Sequence, residues 1–288
     1  MIRSLYSGIS GMRNHQTRMD VVGNNIANVN TTGYKSARVN FQDSLSQFVG
    51  PNPVLGRNQV GTGMKVGSIN TNFVQGPLQS TGRTLDLAIQ GEGFFAVKAM
   101  DNSGDLPPGG LPLVTREGIF FLDKNNTLVN SGGYAVLGYM NTAADKTTQP
   151  AAVNSGEGKI TISPATHELS SLSIDKNGYI TALNKATGNV EFIAQVALAT
   201  FANQEGLEKR GQNLYAPGPA SGTAKIASNN HATDGAKAEI NSGYIEMSNV
   251  DLSEEFVNMI TTQRGYQANA RVITVSDTLL EELIQLKR

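Results

Sequence analysis

From Leu252 onward the chain sets Leu252, Phe256, Met259, Gln263, Tyr266, Ala270, Ile273, Asp277, Leu280 and Ile284 at unbroken steps of four and three. Eight of these ten positions are apolar or aromatic. The spacing predicts a helix with a heptad seam of more than four repeats, built to pack lengthwise on another helix. Its ends are marked as well. Asp251 stands where a cap belongs, Glu254 follows three residues on, and Glu255 adds negative charge near the positive helix end. Lys287 and Arg288 fall at the opposite end, where cations are favoured. At 1.5 Å per residue the helix would run roughly 50 Å. A lone helix with so narrow a seam is marginal in water, so it needs a partner.

The first partner to look for lies at the other end of the chain. Within residues 1–29, Ile2, Leu5, Ile9, Met12, Met19, Val22, Ile26 and Val29 recur at steps of three, four or seven, interrupted only by Gln16. Arg3, Arg13, Asn14, Arg18 and Asp20 fall on the opposite face, where His15 is also expected. Gly8, Gly11 and Gly23 weaken the helix by roughly 1 kcal/mol each relative to Ala, but they permit close approach of a neighbouring backbone. Periodicity alone is equally compatible with an amphipathic helix resting on its own domain. The location of two such helices at opposite chain ends favours pairing with each other, completed by other copies of the protein.

The region between them reads as β. Glycine, 31 of 288 residues, is well above the roughly 7% of average usage, as turn-rich all-β bodies require. Leu85, Leu87 and Ile89 alternate with Asp86 and Ala88, and Phe94 to Val97 forms a second apolar run. Two hairpins are expected around Asp123-Lys124-Asn125-Asn126 and Asp175-Lys176-Asn177-Gly178, whose shared Asp-Lys-Asn turn suggests similar build. Val190 to Phe201 reads as a long buried strand. From Gly50 to Gly82 the chain is rich in Gly, Asn, Gln, Ser, Thr and Pro, with a short strand at Met64 to Ile69. Phe41, Leu45 and Phe48 are spaced for a short further helical piece. The expected fold class is mainly β with long N- and C-terminal α-helices, a β body of hairpins on a two-helix coiled-coil base. The expected domains are 1–34 with 249–288 for assembly, 35–82 as an extended linker with short strands, and 83–248 as a β-rich outer domain.

Few function classes survive this composition. With 23 basic and 24 acidic residues the formal charge is -1, so no basic excess points to nucleic acid or a membrane surface. Cysteine is absent, which removes disulfides and thiolate chemistry. The most apolar stretch, Phe192 to Ala202, is about half a membrane span, and the N-terminus has no apolar core of the kind a cleaved secretory signal carries. His15, His167 and His231 lack metal-ligand spacing. Gly91-Glu92-Gly93-Phe94-Phe95-Ala96 fits a dinucleotide fingerprint in letters, but Phe94 onward reads as strand where that motif needs a helix, so a hairpin turn is expected. Asp175-Lys176-Asn177-Gly178 puts its glycine two positions too early for a calcium loop. Glu254/Glu255 and Glu281/Glu282 are adjacent on helices, so their side chains diverge. No catalytic, cofactor or metal constellation emerges. A β-headed adhesin with a coiled-coil stalk is the alternative of another class, although one continuous helix would build a stalk more simply than two chain ends.

Val22-Gly23-Asn24-Asn25-Ile26-Ala27-Asn28-Val29-Asn30-Thr31-Thr32-Gly33-Tyr34-Lys35 resembles the N-terminal signature of bacterial flagellar rod and hook proteins, with Asn24, Asn25, Ala27, Asn28, Gly33 and Tyr34 as its marks. Met1 to Met12, Ser80 to Phe95, Gly243 to Leu252 and Gln263-Arg264-Gly265-Tyr266-Gln267-Ala268-Asn269 are similar to further blocks of the same family, in family order. The resemblance implies an axial building block of the flagellum, located in the hook or basal body. It implies export without a cleaved signal by the flagellar type III apparatus, and assembly with itself into a helical homopolymer. Neighbouring axial proteins of the rod, the hook cap and the hook–filament junction are implied partners. Within the family the wording most resembles short hook proteins, a flexible joint transmitting motor torque, with the distal rod protein next. Both apolar stripes then become subunit-interface seams.

Overall fold

The computed structural model describes residues 2–52, 56–100, 112–141, 158–163, 166–168, 171–228 and 238–286. The chain forms two compact units. One comprises Met1–Val29, Lys35–Asn72 and Val250–Arg288, the other Asn30–Tyr34 and Phe73–Asn249. Among the described residues the fold is mainly β, with one long α-helix near each end.

In the first unit, helix α1 (Ile2–Ala27) lies along helix α2 (Leu252–Leu286). The cap of α2 is as its sequence requires: Asp251 Oδ1 accepts from the backbone N–H of Ser253 at 2.8 Å and of Glu254 at 3.3 Å. Between the helices in sequence come strands β1 (Ala37–Asp43), β2 (Ser46–Asn52), β3 (Gly56–Gly61) and β4 (Met64–Thr71). β1 pairs antiparallel with β4 across a bulge at Asn40/Phe41, and β2 pairs with β3. The helical piece expected around Phe41, Leu45 and Phe48 is therefore absent. Phe41 and Phe48 sit on strands, where cross-strand pairing overrides a helix-compatible spacing of three apolar residues. A two-stranded ribbon is marginal alone. β1 and β4 rest on α1, and Asn25 fixes the register of that contact. Its Nδ2 donates to the Ala37 carbonyl at 2.9 Å, and its Oδ1 accepts from the Ala37 N–H at 3.0 Å.

The second unit is built around the strand Val190–Thr200, which is buried over most of its length. It pairs with Tyr179–Leu183, Tyr134–Met140, Phe94–Ala99 and Lys225–Ser228, all antiparallel. The run Phe94-Phe95-Ala96-Val97 shows why these strands read as continuously apolar. Phe95 and Val97 join one buried cluster with Phe120, Leu128 and Val196, while Phe94 and Ala96 join another with Phe201 and Tyr215. Both faces of the strand are covered, so the period-two alternation disappears. The two Asp-Lys-Asn turns are built alike. In the first, Asp123 N–H bonds to the Thr127 carbonyl and Asn126 N–H to that of Asp123; in the second, Asp175 bonds to Tyr179 and Gly178 to Asp175. The fourth residue takes positive φ in each, 57° at Asn126 and 76° at Gly178. Gly91 to Gly93 departs from expectation. The strand before it, Leu87–Gln90, pairs with Glu239–Ser242, and the strand after it belongs to the large sheet, so the glycines make a corner between two sheets instead of a hairpin.

The incoming and outgoing chains of the second unit are tied to one another. Gly33 N–H donates to the Glu246 carbonyl at 2.8 Å, and Asn213 Nδ2 donates to the Thr32 carbonyl at 3.0 Å. The Glu246 side chain is buried, accepting from the Gly76 N–H at 2.8 Å and from Arg116 at 3.3 Å. Arg116 also donates to the Gly91 carbonyl at 2.8 Å and lies over the Phe94 ring. Burial pushes the guanidinium pKa down, and the Glu246 carboxylate opposes that push.

Candidate assembly interface

The candidate functional surface belongs to the helix pair of the first unit. On α2 the line turned inward is Glu255, Asn258, Thr262, Gly265, Asn269, Ile273, Ser276 and Leu280, again at steps of three and four. It is mostly small or polar. Only Thr262 and Ser276 are fully buried along α2. Asn25 donates to Glu255 Oε1 at 2.7 Å and Arg18 to Asn258 Oδ1 at 3.0 Å. The Ser4 and Ser276 hydroxyls meet at 3.4 Å. Gly11 leaves room for the Asn269 side chain, whose amide would stand 2.6 Å from a Cβ placed there.

His15 lies in this contact, not on the open polar face that its neighbours suggest. Its ring fills the space left by Gly265 and meets Phe41 edge-on at 6.2 Å. Burial first, and the Arg18 charge second, hold its pKa below the ordinary histidine value.

Because the intramolecular contact is polar, the expected apolar seams lie beside it. On α1, Val22 is buried, Leu5, Met12, Met19 and Ile26 are half-buried, and Ile9 is exposed; Val29, just past the helix, is half-buried. The Ile2 side chain falls outside the described set. On α2, Met259, Ala270, Ile273 and Leu280 are half-buried, whereas Leu252, Phe256, Tyr266 and Ile284 are exposed, Phe256 at 51% and Ile284 at 67%. At 100° per residue the α2 seam sits roughly a quarter-turn to one side of the line facing α1.

A second apolar stripe, which the heptad count from Leu252 passes over, lies a similar rotation to the other side. Val257, Ile260, Val272, Val275, Leu279, Leu283 and Leu286 are all exposed along it. The same three-four counting begun at Val257 finds it, with Arg264 and Ala268 filling the intermediate positions. Along this flank Arg264, Gln267, Ala268, Arg271, Val272, Val275 and Ser276 line an open groove of about 730 Å³.

The signature residues divide between the units. Asn25 is buried in the first, between β1 and α2. Asn28 donates to the Asn24 carbonyl at 2.9 Å and to its Oδ1 at 2.8 Å, closing the end of α1, while Asn24 and Ala27 are exposed. Gly33 and Tyr34 are buried in the second unit, where Lys209 stands 5.0 Å over the Tyr34 ring. Among the described residues no group of three or more His, Asp or Glu is arranged to hold a metal ion, and no helix is long and apolar enough to cross a membrane.

Three family descriptions match the chain: "Flagella basal body rod protein" over residues 5–35, "Flagellar hook protein FlgE/F/G D1 domain" over 88–182, and "Flagellar basal body rod FlgEFG protein C-terminal" over 241–286. Among similar proteins, the flagellar basal-body rod protein FlgG of Bacillus subtilis is 43% identical over 295 aligned residues, covering all of both chains. The flagellar hook protein FlgE of Borreliella burgdorferi is 30% identical over an alignment of 457 residues, again covering all of both chains. The rod protein FlgG of Agrobacterium fabrum is 32% identical over 287 residues, 96% of this chain and 97% of its own.

Proposed function

We propose that this chain, which belongs to the flagellar rod and hook family of axial structural proteins, builds the distal part of the basal-body rod by assembling with copies of itself. The observation that carries self-assembly is the polar helix–helix contact. It leaves two apolar stripes of α2 exposed, and exposed contiguous apolar surface of this kind marks an interaction site. The seams Ile2 to Val29 and Leu252 to Ile284, with the second stripe of α2, are the surfaces that neighbouring copies cover. Adjacent axial proteins contact the ends of the polymer, and the flagellar type III apparatus delivers the chain. Its work is mechanical: it holds shape under torque.

The rod reading takes precedence over the hook because the rod protein of Bacillus subtilis has the higher identity and aligns without large insertions. The hook alignments need more than 450 columns for a chain of 288 residues. Hook remains the second reading, supported by similarity that runs through the whole chain and by the matched hook D1 description. Antibody against the second unit, applied to purified hook–basal bodies and viewed by electron microscopy, separates the two. Label on the straight rod is expected. Label along the curved external segment would move the protein to the hook, and bare particles would overturn both.

A further inference from the structure

The two flanks of α2 are complementary to each other. One carries the groove, where Ala268, Val272 and Val275 line the floor together with the exposed cations Arg264 and Arg271. The other, near the C-terminal end, carries Asp277 and Glu281 beside the exposed Ile284. Among the described residues none of these four charged side chains has an ion-pair or hydrogen-bond partner within the chain. Neither flank faces α1, so both stay available in the folded protein.

We infer, building on the self-assembly reading above, that the acidic flank of one copy's α2 seats in the Arg264/Arg271 groove of the next copy. Asp277 and Glu281 are centred near residue 279 and the two arginines near 268. Matching them moves one helix along the other by about 17 Å at 1.5 Å per residue. Ile284 then lies level with Val272, so apolar and charged groups are satisfied together. The contact joins two different surfaces of the same chain. Such a heterologous contact with an axial shift does not close on itself and propagates as a helical polymer. It accounts for both flanks being apolar when a simple two-helix pair would need only one.

Charge reversal tests this on the full-length chain. Two variants are made, R264E/R271E and D277R/E281R, together with the protein carrying all four changes. Pelleting and negative-stain microscopy measure polymer, and circular dichroism confirms helix content. Each double variant alone is expected to lose at least tenfold in pelletable polymer. The equimolar mixture is expected to recover it, because an acidic groove then meets a basic flank and a basic groove an acidic one in alternation. The fourfold variant recovers it alone. The milder R264Q/R271Q is expected to raise the concentration needed for polymer several-fold, and that requirement to lose most of its salt dependence. Double variants that polymerise like the parent overturn the inference while leaving self-assembly intact. So does loss of polymer that neither mixing nor the fourfold change restores. A parent chain that stays monomeric in the same solutions overturns the self-assembly reading, and this inference with it.

Discussion

The two units treat the same residue types in opposite ways. In the second, Phe94, Phe95, Phe120, Leu128 and Ile180 are completely buried and packed on both faces of the sheet. In the first, Phe256, Val257, Ile260, Val275 and Leu283 stay half or more exposed, and the helices touch through glycine, serine, threonine and asparagine. One unit has finished folding when its own chain is folded. The other uses polar groups for much of its helix contact and keeps most apolar residues of α2 outward. A helix pair held by a few hydrogen bonds, each contributing about 1 kcal/mol net, is weak until something covers its flanks. The difference separates stability from assembly: one unit supplies the first alone, and on the function proposed above the other acquires it through the second.

The largest effect expected from breaking this division comes from the core. Phe95→Ala should cost the second unit about 3–5 kcal/mol, read as a shift in its denaturation midpoint. By contrast, Ile273→Asp or Phe256→Asp should leave that midpoint unchanged and abolish polymer. A matching loss of second-unit stability in either aspartate variant would mean that the division is false. Next in size is the buried ion pair. Arg116→Met strands the Glu246 carboxylate and should destabilise the second unit by about 3–5 kcal/mol, again without altering the helices. Gly11→Ala sharpens the other side. It gains about 1 kcal/mol of helix propensity but drives a methyl into Asn269, a net loss of about 1–2 kcal/mol, visible as helix signal melting ahead of the sheet.

The smallest effect is a pH dependence confined to the first unit. The folded pKa of His15 is below its unfolded value, so the unfolded chain binds the extra proton. Helix-pair stability is therefore full well above pH 6.5 and falls as pH drops through the ordinary histidine range. His15→Gln should flatten that slope between pH 7.5 and about 5.5, measured as thermal melting of the helix signal. An unchanged slope in the variant would assign the effect elsewhere.

The long elements were legible because their signals are redundant. The α2 boundaries follow from Asp251 and an uninterrupted spacing, and the strand from Val190 from its apolar length. The Asp-Lys-Asn turns were legible because few residues tolerate their fourth position. Of the four strands between Ala37 and Thr71 only β4 was legible, from Met64 to Ile69; the polar ribbons of the other three leave little alternation. His15 could not be placed from α1 alone, because the room for it is made by Gly265, 250 positions away. A heptad reading asks which line is apolar, and assumes that line meets the nearest helix. Here the nearest helix takes the small polar line and leaves two apolar ones.

The bond between Gly33 and Glu246, reinforced by Arg116, has a mechanical meaning. A pull arriving through residues 30–34 can pass to 244–246 across a few short links, without travelling through the sheet.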